Sequence, residues 1–341
     1  MNLSVKKLFP VGLVVLVLGI VSVVCFYAFA PISNSSESVY LYVDDDDNID
    51  SIAVKLSKEC KEFGVTAFLT LARHTEYDKN IRTGRYEVNP SMGSLKLLRN
   101  LRNGHQSPMK LTIPSVRTTE RLAEELSHKL MLSKEDLLEY LNDNDTCAKY
   151  GKDTATVICL FVPNTYEIYW NVSAPKLFAR MAKEYGTFWN AERKSKAADL
   201  GLKPEEVMTL ASIVDEETAN NGEKPMVAGM YFNRLCKQMP LQADPTVKFA
   251  LKDFEIRRIY NNMLKVDSPY NTYVNTGLPP GPIRIPSVAG IDAVLNLVRH
   301  DYLYMCAKED FSGTHNFAVT YAEHLQNAAK YSKALNERGI K

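Results

Sequence analysis

Apolar positions between residues 204 and 218 recur with helical spacing: Val207, Leu210, Ala211 and Val214 stand at i, i+3, i+4 and i+7. Pro204 suits a first turn, and Glu205 and Glu206 lie where the helix dipole favours acid, so the pattern predicts a helix running into Asp215, Glu216 and Glu217. At about 100° per residue Glu217 projects near the edge of the apolar stripe, whereas Glu216 points to the opposite side. Of the three acids, Glu217 is the one most open to desolvation, which raises a carboxyl pKa and keeps a proton available near neutrality. A solvated helix-end glutamate is the plain alternative. A second helix is expected from Lys224-Pro225, with Val227, Ala228, Tyr231 and Leu235 on one face and Asn233 and Arg234 beside it.

The N-terminal pattern is of another kind. No charged residue occurs from Leu8 to Ala30, and Val11 to Ala30 would span roughly 30 Å as a helix, the thickness of a bilayer core. Lys6 and Lys7 precede this segment, so the positive-inside rule places residues 1–7 in the cytoplasm, 8–30 in the membrane and the rest outside. A cleavable signal ending at Ala28-Phe29-Ala30 competes, but the long apolar core and Pro31 favour an anchor. A polar linker is expected at 31–37, then a strand over Ser38 to Val43 and an acidic solvated turn at Asp44 to Asp47. A helical pattern through Ile52, Leu56, Cys60 and Phe63 follows. Arg82 to Val88 and Met109 to Ile113 read as strands around a helix at Leu95 to Leu101. Two charged amphipathic helices, Thr119 to Leu130 and Lys134 to Leu141, come next, the second capped by Ser133 with Asp136. Phe178 to Trp189 reads as helix, Ala191 to Lys203 as a polar boundary, and Thr320 with Glu323 as a capping box for a helix through Leu335.

Between the predicted helices lie two loops suited to a polar ligand. Met239 to Val247, MPLQADPTV, reads as an irregular segment in which Gln242, Asp244 and Thr246 alternate with apolar residues. Ser268 to Ile283 combines Tyr270, Asn271, Thr272 and Tyr273 with Gly277, Pro279, Pro280, Gly281 and Pro282, which makes a stiff loop. Tyrosines and amides on a stiff loop fit a sugar polymer, which offers hydroxyls to bond and ring faces to stack upon. A loop packed by its own tyrosines would have the same composition.

LASIVDEET (Leu210 to Thr218), YFNRL (Tyr231 to Leu235), MPLQADPTV, YNTYVNTGLPPGPI, YLYMCAK and THNF, in this order and spacing, resemble the endolytic murein transglycosylase (YceG-like) family. The resemblance is close from Val207 onward and looser over the whole chain. It implies a membrane-bound lytic transglycosylase that cuts peptidoglycan glycan strands internally, with the family's E-x-E-T glutamate falling on Glu217. Asp215 departs from the pattern, where the family usually has glutamate. The resemblance also implies a glycan-binding LysM-like module at 38–115, a helical connecting region at 116–203 that completes the first lobe, and a catalytic domain at 204–341. FVPNTYEIYW (Phe161 to Trp170) resembles the segment joining the lobes.

The expected architecture is therefore α+β: a transmembrane helix, a small LysM-like module and a mainly helical catalytic lobe with long ordered loops. Two carboxylates normally flank the bond in a glycosidase, whereas the implied chemistry needs only Glu217, first as acid and then as base, and no metal or cofactor. Asp215, Tyr231, Asn233, Gln242, Asp244, Thr246, Tyr270, Asn271 and Tyr273 are the candidate substrate-binding residues. A formal net charge of +1 gives no nucleic-acid footprint, and the six cysteines and six histidines lack metal-ligand spacing. Peptidoglycan strands, the bacterial inner membrane and cell-wall synthesis proteins are the expected partners, with the catalytic domain extracytoplasmic. The rivals are a catalytically silent scaffold and a hydrolase using Glu217 with Asp244.

Overall fold

The computed structural model describes residues 5–256 and 258–338. Residues 1–4 of the expected cytoplasmic segment and 339–341 of the expected catalytic domain lie outside the described residues. The described chain is mixed α and β, mostly helical, with three two-stranded sheets among its described residues. It divides into two compact units: residues 1–111 with 166–172, and residues 112–165 with 173–341.

The first unit begins with α1 (Val5–Phe29), whose stretch Gly12–Phe29 is long and apolar enough to cross a membrane. Strand β1 (Val39–Val43) pairs antiparallel with β2 (Gly84–Val88), Leu41 opposite Tyr86. Helices α2 (Ile49–Ser57), α3 (Glu62–His74) and α4 (Ser94–Asn103) complete the unit, and Leu41, Val43, Ile52, Leu56, Phe68, Tyr86, Leu97 and Leu101 form its core. The apolar pattern expected as one helix through Phe63 is split in two. Cys60 bridges Ser33 as extended backbone, and Lys61, also extended, starts α3. The same bridge ties down the segment expected as a free linker: Ile32 is buried, its N–H donates to Met92 O and its carbonyl accepts from Lys61 N. Asp44 and Asp47 close on Lys55 at 2.6 and 2.5 Å. From β3 (Met109–Thr112) the chain leaves this unit, and it returns in β4 (Thr165–Ile168), the strand paired with β3. Within the unit Asn171 then donates to Thr83 O at 3.0 Å, and Trp170 meets Tyr42 edge to face.

The second unit opens with α5 (Thr119–Ser127), α6 (Lys134–Asn142) and α7 (Asn144–Ala148). Ser133 and Asp136 cap α6 reciprocally, as their spacing predicts. After β4 come α8 (Ala174–Phe188) and α9 (Ala191–Asp199). The stretch expected as a polar boundary is thus largely helix, because Asn190 accepts from Arg193 N and supplies a cap. The central element is α10 (Pro204–Glu217), buried without interruption from Val207 to Val214. A helix buried on every side is a core spine, a stronger condition than the stripe in its sequence. Its two hydroxyls are satisfied within that core: Thr209 donates to Glu205 O, and Ser212 donates to Thr209 O and accepts from Ile283 N. Each large aliphatic side chain on α10 contributes about 1.5–3 kcal/mol by burial.

Around it pack α11 (Lys224–Cys236), α12 (Asp244–Leu251) and α13 (Val288–Leu295). The segment expected as irregular becomes helix at Asp244, with Pro245 in the first turn, where a missing N–H costs nothing. The hairpin β5 (Tyr304–Ala307) and β6 (His315–Ala318) and the capped helix α14 (Tyr321–Glu337) finish the unit.

Segment 298–300 runs tight along α11. A Cβ on Gly229 would overlap Val298 O and lie 2.7 Å from His300 Nε2. Gly229→Ala is expected to destabilise the protein by about 1–3 kcal/mol, as overpacking does. Thermal unfolding of the detergent-solubilised protein checks this, and an unchanged midpoint would contradict the packing described.

Candidate active site

Three consecutive acids end α10, and each meets a different environment. The Asp215 side chain is nearly buried; it takes Lys224 Nζ at 2.8 Å, Ser287 N at 2.6 Å and the Ser287 hydroxyl at 3.0 Å. A Cβ on Gly290 would stand 2.5 Å from its Oδ1, so α13 can approach only because glycine is there. Glu216 turns to the opposite side of the helix, as the period requires, and holds Arg117 at 2.8 Å and Arg284 at 3.0 Å. Glu217 has no cation against it among the described residues. Its Oε1 accepts a hydrogen bond from the Tyr231 hydroxyl at 2.7 Å, from the middle of α11.

Burial among apolar neighbours raises the Glu217 carboxyl; the Tyr231 bond pulls it down less strongly, and Asp244 pushes it up again, for a value of about 7. Its place at the C-terminal end of α10, where the dipole disfavours an anion, acts in the same direction as burial. The Tyr231 hydroxyl is itself held well above its ordinary value by burial and by Glu217, so it donates and stays protonated. Thr218, next along, donates to Glu223 at 3.0 Å. Glu223 also accepts from the backbone N of His315 at 2.6 Å and lies 2.9 Å from its Nδ1, which ties the end of α10 to the start of β6.

Glu217 opens into a cleft of about 300 Å³, at the small end of the range for ligand pockets. Tyr231, Gln242, Asp244 and Tyr273 share it, so five of the residues proposed from sequence meet there. Gln242 and Asp244 are exposed, and Asp244 accepts from the Tyr273 hydroxyl at 2.5 Å. Gln242 adopts φ 51°, left-handed backbone that is uncommon for a non-glycine residue.

The other proposed residues face the scaffold, and four of them bond to it through their side chains. Asn271 is fully buried and donates to Leu264 O and Val266 O at 2.9 Å each. Thr246 is fully buried, bonded to Ala243 O and Thr272. Asn233 donates to His300 O at 2.6 Å and Tyr302 O at 3.0 Å. Tyr270 packs against Phe249 with centroids 4.7 Å apart and rings tilted by 45°, and does not line the Glu217 cleft. Asp215 is the buried ion pair just described.

Arg234, placed by the sequence beside Asn233 on the second helix, was not among the candidate binding residues. It is buried, lines the cleft and donates to four acceptors: Leu303 O at 2.6 Å, Pro240 O and Leu241 O at 3.0 Å, and Gln242 Oε1 at 3.2 Å. It thereby shapes the backbone that presents Gln242. Its position within YFNRL was the only available signal. Among the described residues no group of three or more His, Cys, Asp or Glu side chains could hold a metal ion.

A family model described as the YceG-like family matches residues 41–330. The chain is 26% identical over 321 residues to the endolytic murein transglycosylase of Bacillus subtilis (strain 168), covering 89% of this chain and 88% of that relative. It is 27% identical over 333 residues to a protein of the same name from Streptococcus pneumoniae serotype 2 (strain D39), covering 88% of this chain and 59% of the longer relative. Its fold is similar to the crystal structure of a YceG-like protein from Listeria monocytogenes, with a TM-score of 0.57 and 27% identity over 86% of this chain and 99% of that one.

The raised carboxyl has a thermodynamic signature. A carboxyl that rises from 4.5 unfolded to about 7 folded favours the native state fully below pH 4.5, and this contribution is lost as pH climbs through 7. Glu217→Gln does not titrate, so its unfolding midpoint should gain on the wild type between pH 4.5 and 7 and hold that advantage above. A midpoint difference independent of pH would show that Glu217 is not held protonated.

Proposed function

The chain belongs to the YceG-like family, and from that membership and the surroundings of Glu217 we propose that it is an endolytic lytic transglycosylase of peptidoglycan. The observation that carries the reading is a carboxyl that opens into a cleft with a tyrosine hydroxyl, and no cation among the described residues, against it; burial there pushes it up to about 7. Such a group holds a proton near neutrality and can release it to a leaving oxygen.

In the proposed reaction Glu217 protonates the glycosidic oxygen between N-acetylmuramic acid and N-acetylglucosamine as the bond to the anomeric carbon breaks. The C6 hydroxyl of the same N-acetylmuramic acid forms the new bond to that carbon and gives its proton to the Glu217 carboxylate. The product is a 1,6-anhydro end; no water is consumed, and the carboxyl returns to its starting state. Tyr231 stabilises the carboxylate in the interval through its 2.7 Å hydrogen bond. Gln242, Asp244 and Tyr273 are the proposed sugar contacts. Asp215, Asn233, Thr246, Tyr270 and Asn271 act on the substrate through the backbone they fix.

We further propose that α1 anchors the protein in the bacterial inner membrane with the catalytic unit outside, and that the region from 38 to 115 binds glycan as a LysM-like module. Cell-wall synthesis proteins are the proposed protein partners. One observation favours a second reading. Asp244 lines the same cleft as Glu217, so a two-carboxylate hydrolase has both its groups. Hydrolysis would leave ordinary reducing ends.

Mass spectrometry of products from purified glycan strands separates these readings: 1,6-anhydro ends are expected from within strands, and reducing ends alone would establish hydrolysis. Glu217→Gln should depress formation of anhydro ends by roughly 10² to 10⁴ without unfolding the protein. Near wild-type turnover in that variant would remove Glu217 from the chemistry.

The pH profile provides an independent check. Because the working form is protonated, kcat/KM should fall above about pH 7. Tyr231→Phe removes the bond that lowers the carboxyl, so the basic limb should move to higher pH while kcat drops. A profile unmoved by Tyr231→Phe would sever the link between the two side chains.

A further inference from the structure

One wall of the Glu217 cleft has no part in the proton transfer. Tyr304 opens β5, and Tyr321 and His324 lie three residues apart at the start of α14; all three line the cavity that holds Glu217. The capping box fixes that first turn: the Thr320 hydroxyl accepts from Glu323 N at 3.2 Å, and the Glu323 carboxylate accepts from Thr320 N at 3.1 Å. Spacing of i, i+3 sets Tyr321 and His324 on one helix face. The His324 ring stacks on both tyrosines, with centroids 5.5 Å from Tyr304 at 29° and 6.0 Å from Tyr321 at 30°. The Arg234 guanidinium lies 5.2 Å from the centre of Tyr304.

This stack is not a piece of core. No described residue of α14 is buried, and Tyr321 is 59% exposed although it has an aromatic neighbour on its own helix and another across on β5. An aromatic cluster held in order yet open to water beside a cleft suits the apolar face of a ligand ring. Burial and the nearby Arg234 lower the His324 pKa, which keeps the imidazole neutral. The wall therefore presents ring faces with polar edges and no charge of its own. Arg234 and the exposed Gln242 flank it in the same cleft. That combination matches a neutral sugar, whose C–H face stacks while its hydroxyls and acetamido group take hydrogen bonds.

We propose that Tyr304, His324 and Tyr321 form a sugar-stacking platform that receives an N-acetylhexosamine ring of the glycan strand adjoining the bond at Glu217. The platform rests on the glycan reading above and adds to it a binding subsite, carried by β5 and the C-terminal helix and separate from the acid. Tyr321 is its outermost ring and the one whose loss least disturbs the fold.

The experiment uses the full-length protein in detergent micelles. Stacking that removes about 50 Å² of apolar surface from water corresponds to roughly tenfold in affinity. Tyr321→Ala is expected to raise KM on glycan strands about tenfold with kcat within about threefold. In a Glu217→Gln background it should weaken binding of the N-acetylglucosamine trimer, measured by calorimetry, by a similar factor. Tyr321→Phe keeps the ring and should restore most of that affinity. If the wild type produces anhydro ends but Tyr321→Ala leaves both KM and trimer affinity unchanged, the platform is wrong and the glycan reading stands. If the wild type produces none, the glycan reading fails and takes the platform with it.

Discussion

Water is excluded from α10 on every side from Val207 to Val214, and the same helix ends in the Glu217 carboxyl. Ionising a carboxyl there forfeits hydration, and a single neutral hydroxyl, that of Tyr231, does not offset the loss. The core that stabilises the second unit is thus also what holds the proton. Any change that lets water reach the last turn of α10 weakens the acid, even when it touches neither Glu217 nor Tyr231.

The three acids in a row make the point by contrast. The Asp215 side chain is only 4% exposed, but it meets an ammonium, a backbone N–H and a hydroxyl. Glu216 lies between two guanidinium groups. Both have the partners an anion needs, whereas the hydrogen-bond partner of Glu217 among the described residues is a neutral hydroxyl. Residue type is shared or nearly so; the roles are separated by what the fold brings to each from Arg117, Arg284 and Ser287, distant in sequence, and from Lys224 and Tyr231 on the next helix.

Local order was legible in the sequence. Pro204, the helical period of α10, the opposite directions of Glu216 and Glu217, and the Ser133 and Thr320 capping boxes depend on neighbours within one or two turns, which is the range over which spacing carries information. Long-range bonds were not legible. Asn271 looks like a ligand contact because it sits among tyrosines on a stiff loop, and nothing in its neighbours says that its amide will close on Leu264 O and Val266 O. Asp215 finds Ser287 72 residues away, and Arg234 finds Leu303 69 residues away. Splitting of the first-unit helix pattern at Cys60 follows from a bridge to Ser33, which apolar periodicity does not register. The helix at Asp244 was hidden for a different reason: an Asp-Pro pair serves a turn and a first helical turn equally well.

The first unit needs residues 166–172, whose Asn171 and Trp170 reach Thr83 and Tyr42, yet residues 112–165 of the second unit come in between. During synthesis the first unit is therefore left with a gap after its own 111 residues have appeared. At about 5–20 residues per second the missing piece arrives roughly 3–12 s later. Over that interval Thr83 and Tyr42 lack their late partners while the opening helices of the second unit are already emerging. The two units are interleaved in time as well as in sequence, and a pause or truncation between 112 and 172 would leave both incomplete.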